Sequence, residues 1–303
     1  MGMAMKKKKR RTDILIFNIT GYIVTGLVAL LCLVPFVMIL SASFSEEKLI
    51  LKEGFSLLPR NFSLEAYRTV FEKPEIIGRA YLVTTVITII GTILGLTLTS
   101  MTGYVLQRKD FEWRNRFSFF FYFTTLFSGG IVPYYILMVR YLRLKDSYLA
   151  LILPLLFNVF NLIVMKNYMN GIPVAFTEAA IIDGCGDFSI YYRIILPLSK
   201  PVLATIGLFI TLAYWNDWYN SMLYINDDSK YTLQYFLYMR INNIEAYKKI
   251  IAQSGGMAGS FIELPTQTLR MALTVVVTGP IIFAYPFAQK YFVKGITIGA
   301  IKG

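Results

Sequence analysis

The chain has 303 residues, 56% apolar and 16% aromatic, with 30 Lys+Arg against 18 Asp+Glu for a formal +12. Only 16% of residues are charged, against about 25% in soluble domains, which leaves a membrane protein or a nucleic-acid binder with an unusual core. There is no histidine, which removes most zinc sites and every His-based catalytic arrangement; two cysteines, Cys32 and Cys185, make no disulfide framework or metal cluster; and no G-x-x-x-x-G-K-[ST] run gives the chain a P-loop for ATP.

The chain opens on six consecutive basic residues, Lys6–Lys9, Arg10 and Arg11, followed by no charge at all between Asp13 and Glu46. A basic start before an apolar run also describes a cleavable signal peptide. Signal cores are only about 7–15 residues long, however, so an uncleaved first span over 17–40 is expected. The basic cluster abuts that span, and the positive-inside rule puts segment 1–16 in the cytoplasm. Topology is therefore the better reading of the basic excess, and no nucleic-acid partner is expected.

Further uncharged runs predict spans at 81–106, 117–139, 148–166, 201–225 (interrupted by Asp217) and 271–289. Each meets or nearly meets the ~20 residues needed to cross a hydrocarbon core. A soluble all-α protein would have no amphipathic helices left to cover six such runs. Six spans from a cytoplasmic start return the C-terminus, 293–303, to the cytoplasm, and put loops 41–79 and 226–270 outside. The segments assigned to the cytoplasm then carry +10 of the +12, although Arg140, Arg143 and Lys145 fall outside.

Within the spans, Gly91, Gly95, Thr99 and Gly103 recur every four residues as a stripe for close helix packing. Gly129-Gly130 and Pro133 fall inside the third span, either as a structural kink or as the broken helix of a transport site. Asn158 and Asn161, three apart, share one helical face of the fourth span, and that face should meet other helices or a cavity rather than lipid. The fifth span ends in Tyr214-Trp215-Asn216-Asp217-Trp218-Tyr219-Asn220, an interfacial aromatic belt or part of a polar path.

Between the fourth and fifth spans, 167–200 is too long for a turn and too apolar for a disordered linker. Pro173 suits a helix start, Ala175–Asp183 is rich in helix formers, and Asp183-Gly184-Cys185-Gly186 is a turn signal. A second short helix over Phe188–Ile195 should end before Pro197. The hairpin reads either as an amphipathic pair resting on lipid or as a docking element.

Glu178-Ala179-Ala180, three residues, Gly184, nine residues, Ile194, one residue, Leu196-Pro197 resembles the EAA loop of bacterial ABC importer permeases. The ending from Gln289-Lys290-Tyr291-Phe292 to Gly303 is similar to the carbohydrate-uptake branch, in the subunit akin to the smaller maltose permease, and most like permeases for oligo- or polysaccharides. The resemblance covers essentially the whole chain. It implies an all-α integral membrane fold: the six-helix type I ABC importer transmembrane domain over 17–292. It also implies that the helix carrying Glu178, Ala179, Ala180 and Gly184, with Asp183 between them, couples to a partner ATPase. This chain would then be no enzyme and bind no metal or cofactor, with ATP and Mg held by an ATP-binding subunit dimer.

Other implied partners are a second homologous permease, an extracytoplasmic solute-binding protein docking on 41–79 and 226–270, and membrane lipid. The setting is the bacterial cytoplasmic membrane. Sugars are held by aromatic faces and amides, so Trp215, Asn216, Trp218, Asn158 and Asn161 are candidates for the substrate path; interhelical bonding is the competing role for the two asparagines. A non-sugar ABC permease or an ion-coupled secondary transporter is the alternative, but the spans lack the paired ionisable residues that ion coupling needs.

Overall fold

A computed structural model describes residues 2–253 and 266–282. Among the described residues the chain is helical, with a single antiparallel bridge between Ser45 and Phe62 and no strand. The described residues of Met1–Glu72 and Tyr247–Val276 form one unit, and those of Lys73–Ala246 and 277–282 another.

In the first unit, α1 runs Gly2–Ser43. Its stretch Ile14–Ser43, whose most apolar 18 residues have a mean hydropathy of 2.8, is long enough to cross a membrane. Apolar residues are exposed all round it, as Phe17, Tyr22 and Leu31 illustrate, which is the surface of a helix bathed in lipid or in a partner. Its end is tied down locally: Ser45 Oγ donates to the Ser41 carbonyl, Ser43 Oγ meets the Tyr67 hydroxyl at 2.9 Å, and Phe44 stacks on Phe62 and Tyr67. Two short helices follow, α2 (Glu47–Glu53) and α3 (Glu65–Val70).

Glu47 does more than start α2. Its carboxylate accepts from the backbone N–H groups of Gln267 and Thr268 and from the hydroxyls of Thr266 and Thr268. It thus caps, from elsewhere in the sequence, the N-terminus of the helix 266–282. Burial pushes this carboxyl up, but the four donors outweigh it and hold it below its ordinary value of 4.5. A depressed carboxylate contributes stability that is fully present above its unfolded value and is lost as pH falls through the folded one. Glu47→Ala should therefore lower stability by about 1 kcal/mol at pH 7, as for other lost caps. In thermal unfolding of the purified protein, the gap to wild type should shrink as pH falls below 4.5.

In the second unit, α4 runs Pro74–Gln107, starting earlier than the uncharged run suggests because Pro74 suits a first helical turn and Glu75 favours its positive end. Its stripe Gly91, Gly95, Thr99 and Gly103 is buried and lets two neighbours approach. A Cβ on Gly91 would overlap the Tyr214 ring, one on Gly95 would lie 3.0 Å from the Leu156 carbonyl, and one on Gly103 2.8 Å from Met165 Cγ.

Three expected spans are interrupted. The third is α5 (Arg114–Leu126) followed by α6 (Ile131–Ile136), which continues into a π-turn over Leu137–Tyr141; the two arms bend by 114° around Phe127–Gly130. The fourth is α7 (Leu149–Ile152) with a 3₁₀ turn over Leu153–Leu155, then α8 (Val159–Asn170), bent by 51°. Here the expectation that Asn158 and Asn161 share a helical face is corrected: Asn158 is the N-cap of α8, its Oδ1 accepting from the Asn161 N–H at 3.2 Å.

The hairpin 167–200 contains α9 (Ala175–Ile182) and a longer arm, Asp187–Leu198. That arm does not end before Pro197 as its sequence suggests. Its α-turn α10 (Asp187–Ile190) widens to a π-turn over Tyr191–Ile195 and resumes as α11 (Leu196–Leu198), which places Pro197 in a first turn where no N–H is needed. After a bend of 83°, α12 spans Lys200–Trp215. The expected single helix over 201–225 also breaks, because Asp217 accepts from the Asn220 N–H and side-chain amide and starts a separate α13 (Tyr219–Tyr224). Then α14 runs Leu233–Gln253, its first N–H donating to the buried Thr84 hydroxyl of α4. The last turns of the expected span 271–289 and the tail 293–303 lie outside the described residues.

Candidate coupling surface and substrate path

Helix α9 is short, apolar and turned outward. Ala180 packs into the core beneath it at 4% exposure, while Ile181 and Ile182 are 54% and 85% exposed. Val174, Phe176 and Phe188 around it are exposed too, as are Glu178, Ala179 and Asp183. Apolar side chains displayed around a polar loop are what a helix docking in a groove requires.

The end of α9 is fixed by its backbone. Gly184 has φ +77°, its N–H donates to the Ile181 carbonyl at 3.0 Å, and the Cys185 N–H reaches the Ala180 carbonyl at 2.9 Å. This is a Schellman cap, with Asp183 as C-cap and Gly184 in the left-handed position that a side chain would strain. The spacing between Glu178 and Gly184 is therefore a helix of fixed length closed by a fixed turn.

The path candidates separate into two places. Asn158 and Asn161 line a cavity of about 500 Å³ together with Pro154, Leu155, Phe157, Phe160, Phe209, Ile210 and Ala213. No charged residue is among the lining, which offers ring faces and two amides. The aromatic members were not singled out from the sequence. The available signal was Pro154 followed four residues later by Asn158, a helix stop and a helix start inside one apolar run.

Trp215, Asn216 and Trp218 do not line this cavity. Trp215 is buried, and its indole N–H has no hydrogen-bond partner among the described residues. Asn216 donates to the Leu212 carbonyl and accepts from Gln234, and Trp218 stacks on Tyr238 with ring centroids 4.5 Å apart. Asn216 and Trp218 brace the α12–α13 break against α14.

On the loops, Asp146 accepts from the backbone N–H groups of Asn226 and Asp227, which hold its carboxyl below the usual range. Lys230 Nζ donates to the Asp146 carbonyl at 2.9 Å. At the other end of α4, Arg108 is ion-paired with Asp110 and Asp187.

No family model matches the chain. It is 41% identical over 302 residues, covering 98% of this chain and all of the other, to the polygalacturonan/rhamnogalacturonan transport system permease protein YtcP of Bacillus subtilis. It is 38% identical over 288 residues, 95% of each chain, to Protein LplC of the same organism. Among solved structures it is similar to a bacterial ABC transporter involved in the import of the acidic polysaccharide alginate. That match has a TM-score of 0.77 at 30% identity and covers 91% of this chain and 96% of that one.

Proposed function

The chain belongs to the permeases of carbohydrate ABC importers, and we propose that it carries an oligosaccharide of acidic type through the membrane when a separate ATPase moves α9. The observation that carries this reading is α9 itself: an apolar helix, closed by Gly184, whose Ile181, Ile182 and Phe176 lie exposed. Docked in a groove of an ATP-binding subunit, it would transmit nucleotide-driven closure to the spans. A second, homologous permease completes the pathway, and a solute-binding protein delivers the sugar to loops 41–79 and 226–270.

The orientation, with both termini and the loop 167–200 in the cytoplasm, rests on the basic segment 1–16; which loops share a side is supported by how they pair. Arg108 meets Asp187, both assigned inside; Asp146 meets Asn226, both assigned outside; Glu47 meets Gln267, again both outside. A topology with an odd number of crossings between any of these pairs would separate them.

The acidic class of substrate rests on the relative named for polygalacturonan and rhamnogalacturonan and on the alginate importer. The cavity at Asn158 and Asn161 is read as a stretch of the path that meets sugar rings through Phe157, Phe160 and Phe209 and hydroxyls through the amides. Being uncharged, it leaves the carboxylates to be selected elsewhere, by the binding protein or the partner permease.

The test is uptake by the reconstituted complex of trigalacturonate, an alginate trimer and maltotriose. An acidic trimer should be favoured over maltotriose by about ten-fold, or ~1.4 kcal/mol. Preference for maltotriose overturns the acidic class. In the same vesicles Asn161→Ala should raise the half-saturating concentration about five-fold, the size of one lost hydrogen bond. An unchanged value removes Asn161 from the path.

A further inference from the structure

Beneath the coupling hairpin, two helices are fastened by side chains spaced four apart on each. On α4 these are Ser100, Tyr104 and Arg108; on the arm Asp187–Leu198 they are Asp187 and Tyr191. Tyr191 Oη and Ser100 Oγ lie 2.7 Å apart in a buried hydrogen bond. The Tyr191 ring packs on that of Tyr104 with centroids 5.3 Å apart, and all three residues are at most 6% exposed. Arg108 closes the outer end, reaching Asp187 and, at 3.4 Å, the Tyr104 hydroxyl.

We propose that Ser100, Tyr104 and Tyr191, with Arg108 and Asp187 setting their register, form a clamp that carries the displacement of α9 into α4. The proposal rests on the reading of α9 as the ATPase-driven lever. The two routes along the chain out of the hairpin both contain a bend. The arm meets α12 at 83° across Ser199, and α9 joins α8 through the turn at Gly171–Pro173. The clamp, by contrast, is a packed contact beside the Gly184 turn, and packed contacts transmit small shifts that loops absorb.

The π-turn at Tyr191–Ile195 is part of the device. A π-turn is a rare helical geometry, and its two ends, Tyr191 and Ile195, are both buried in the core. The packing that holds the turn open is therefore the same packing that seats Tyr191 on α4. Asp187 is largely exposed, so its ion pair aligns the arm more than it stiffens it. Ser100, Tyr104 and Tyr191 are positioning residues: they lie in the core rather than on the docking face.

The experiment is hydrogen exchange on the whole complex, permease pair with ATP-binding subunits, compared between nucleotide-free and vanadate-trapped states. In wild type the amides of 175–184 and of 98–107 should both differ between states. In Ser100→Ala, Tyr191→Phe and Tyr191→Leu the difference at 98–107 should fall by roughly three-fold or more, as expected for residues in one contact network. The difference at 175–184 should persist and ATP hydrolysis continue. Ser100→Ala with Tyr191→Phe should be no worse than either alone, since both remove the same bond.

If 175–184 responds while 98–107 does not respond in wild type, or responds equally in the variants, the clamp is overturned and α9 keeps its role. If 175–184 does not respond in wild type, the lever reading fails and takes the clamp with it. The conservative Ser100→Ala and Tyr191→Phe pair decides the matter should Tyr191→Leu not fold.

Discussion

Glu178→Lys and Gly184→Pro should each abolish ATP-driven uptake while leaving the permease in the membrane at near-normal amount. Gly184 holds φ +77° and donates its N–H to Ile181, whereas proline is confined to a φ of about −65° and has no N–H. The cap cannot form, and the end of α9 and the course of the chain beyond it both change. Gly184→Ala is the milder companion, costing about 1–2 kcal/mol for the left-handed conformation. Glu178→Lys acts differently. Glu178 is exposed in the first turn of α9, so reversing its charge costs the helix only about 0.3–1 kcal/mol. Its larger effect should fall on docking, by roughly ten-fold or more in affinity for the ATP-binding subunit, or ~1.4 kcal/mol. Co-purification of that subunit with tagged permease, beside uptake, reads both. Normal uptake by both variants would remove α9 from the coupling role.

The second large effect is on stability. Gly91→Val places a Cβ and two methyl groups where the Tyr214 ring lies against the backbone of α4. The ring cannot move freely, because Tyr214 is 1% exposed and its hydroxyl donates to the Ile152 carbonyl at 2.7 Å. Overpacking of this kind costs about 1–3 kcal/mol, and expulsion of the ring adds about 1–3 kcal/mol for a buried carbonyl left without its donor. Gly26→Val on α1, with nothing within 4 Å of the added carbon, is the control and should be close to neutral. Thermal unfolding in detergent separates the two. Equal melting of both variants would mean that the stripe on α4 does not need its small residues.

These two predictions draw on features of different legibility. The helix and turn of the hairpin could be read from the chain because their determinants are local: a helix of defined length and a glycine that must adopt positive φ. The small-residue stripe was equally visible as a packing surface, but its partners were not. Tyr214, Leu156 and Met165 approach it from segments about 60 to 125 residues away, and periodicity on one helix carries no information about its neighbour.

Hydropathy located the apolar runs well and their breaks poorly, for a physical reason. It records the absence of charge, whereas a break is a question of where backbone N–H groups find acceptors. Asn158 and Asp217 each supply that acceptor from a side chain within three residues, ending one helix and starting another inside an uncharged or nearly uncharged run. Both residues attracted notice as polar groups in a span, and their capping role explains them without a ligand. The same break gives Asn158 and Asn161 a cavity to line, so the capping role leaves room for the proposed path role at that point. The clamp under the hairpin was legible only as two unremarkable i, i+4 spacings, which acquire meaning once α4 and the arm Asp187–Leu198 are seen to meet.

The most direct test of the whole account is oligosaccharide uptake into vesicles bearing the permease pair, with and without the ATP-binding subunits and ATP. Uptake should require both, and should stop when α9 can no longer dock. Transport that persists with the ATP-binding subunits left out would contradict the account at its centre.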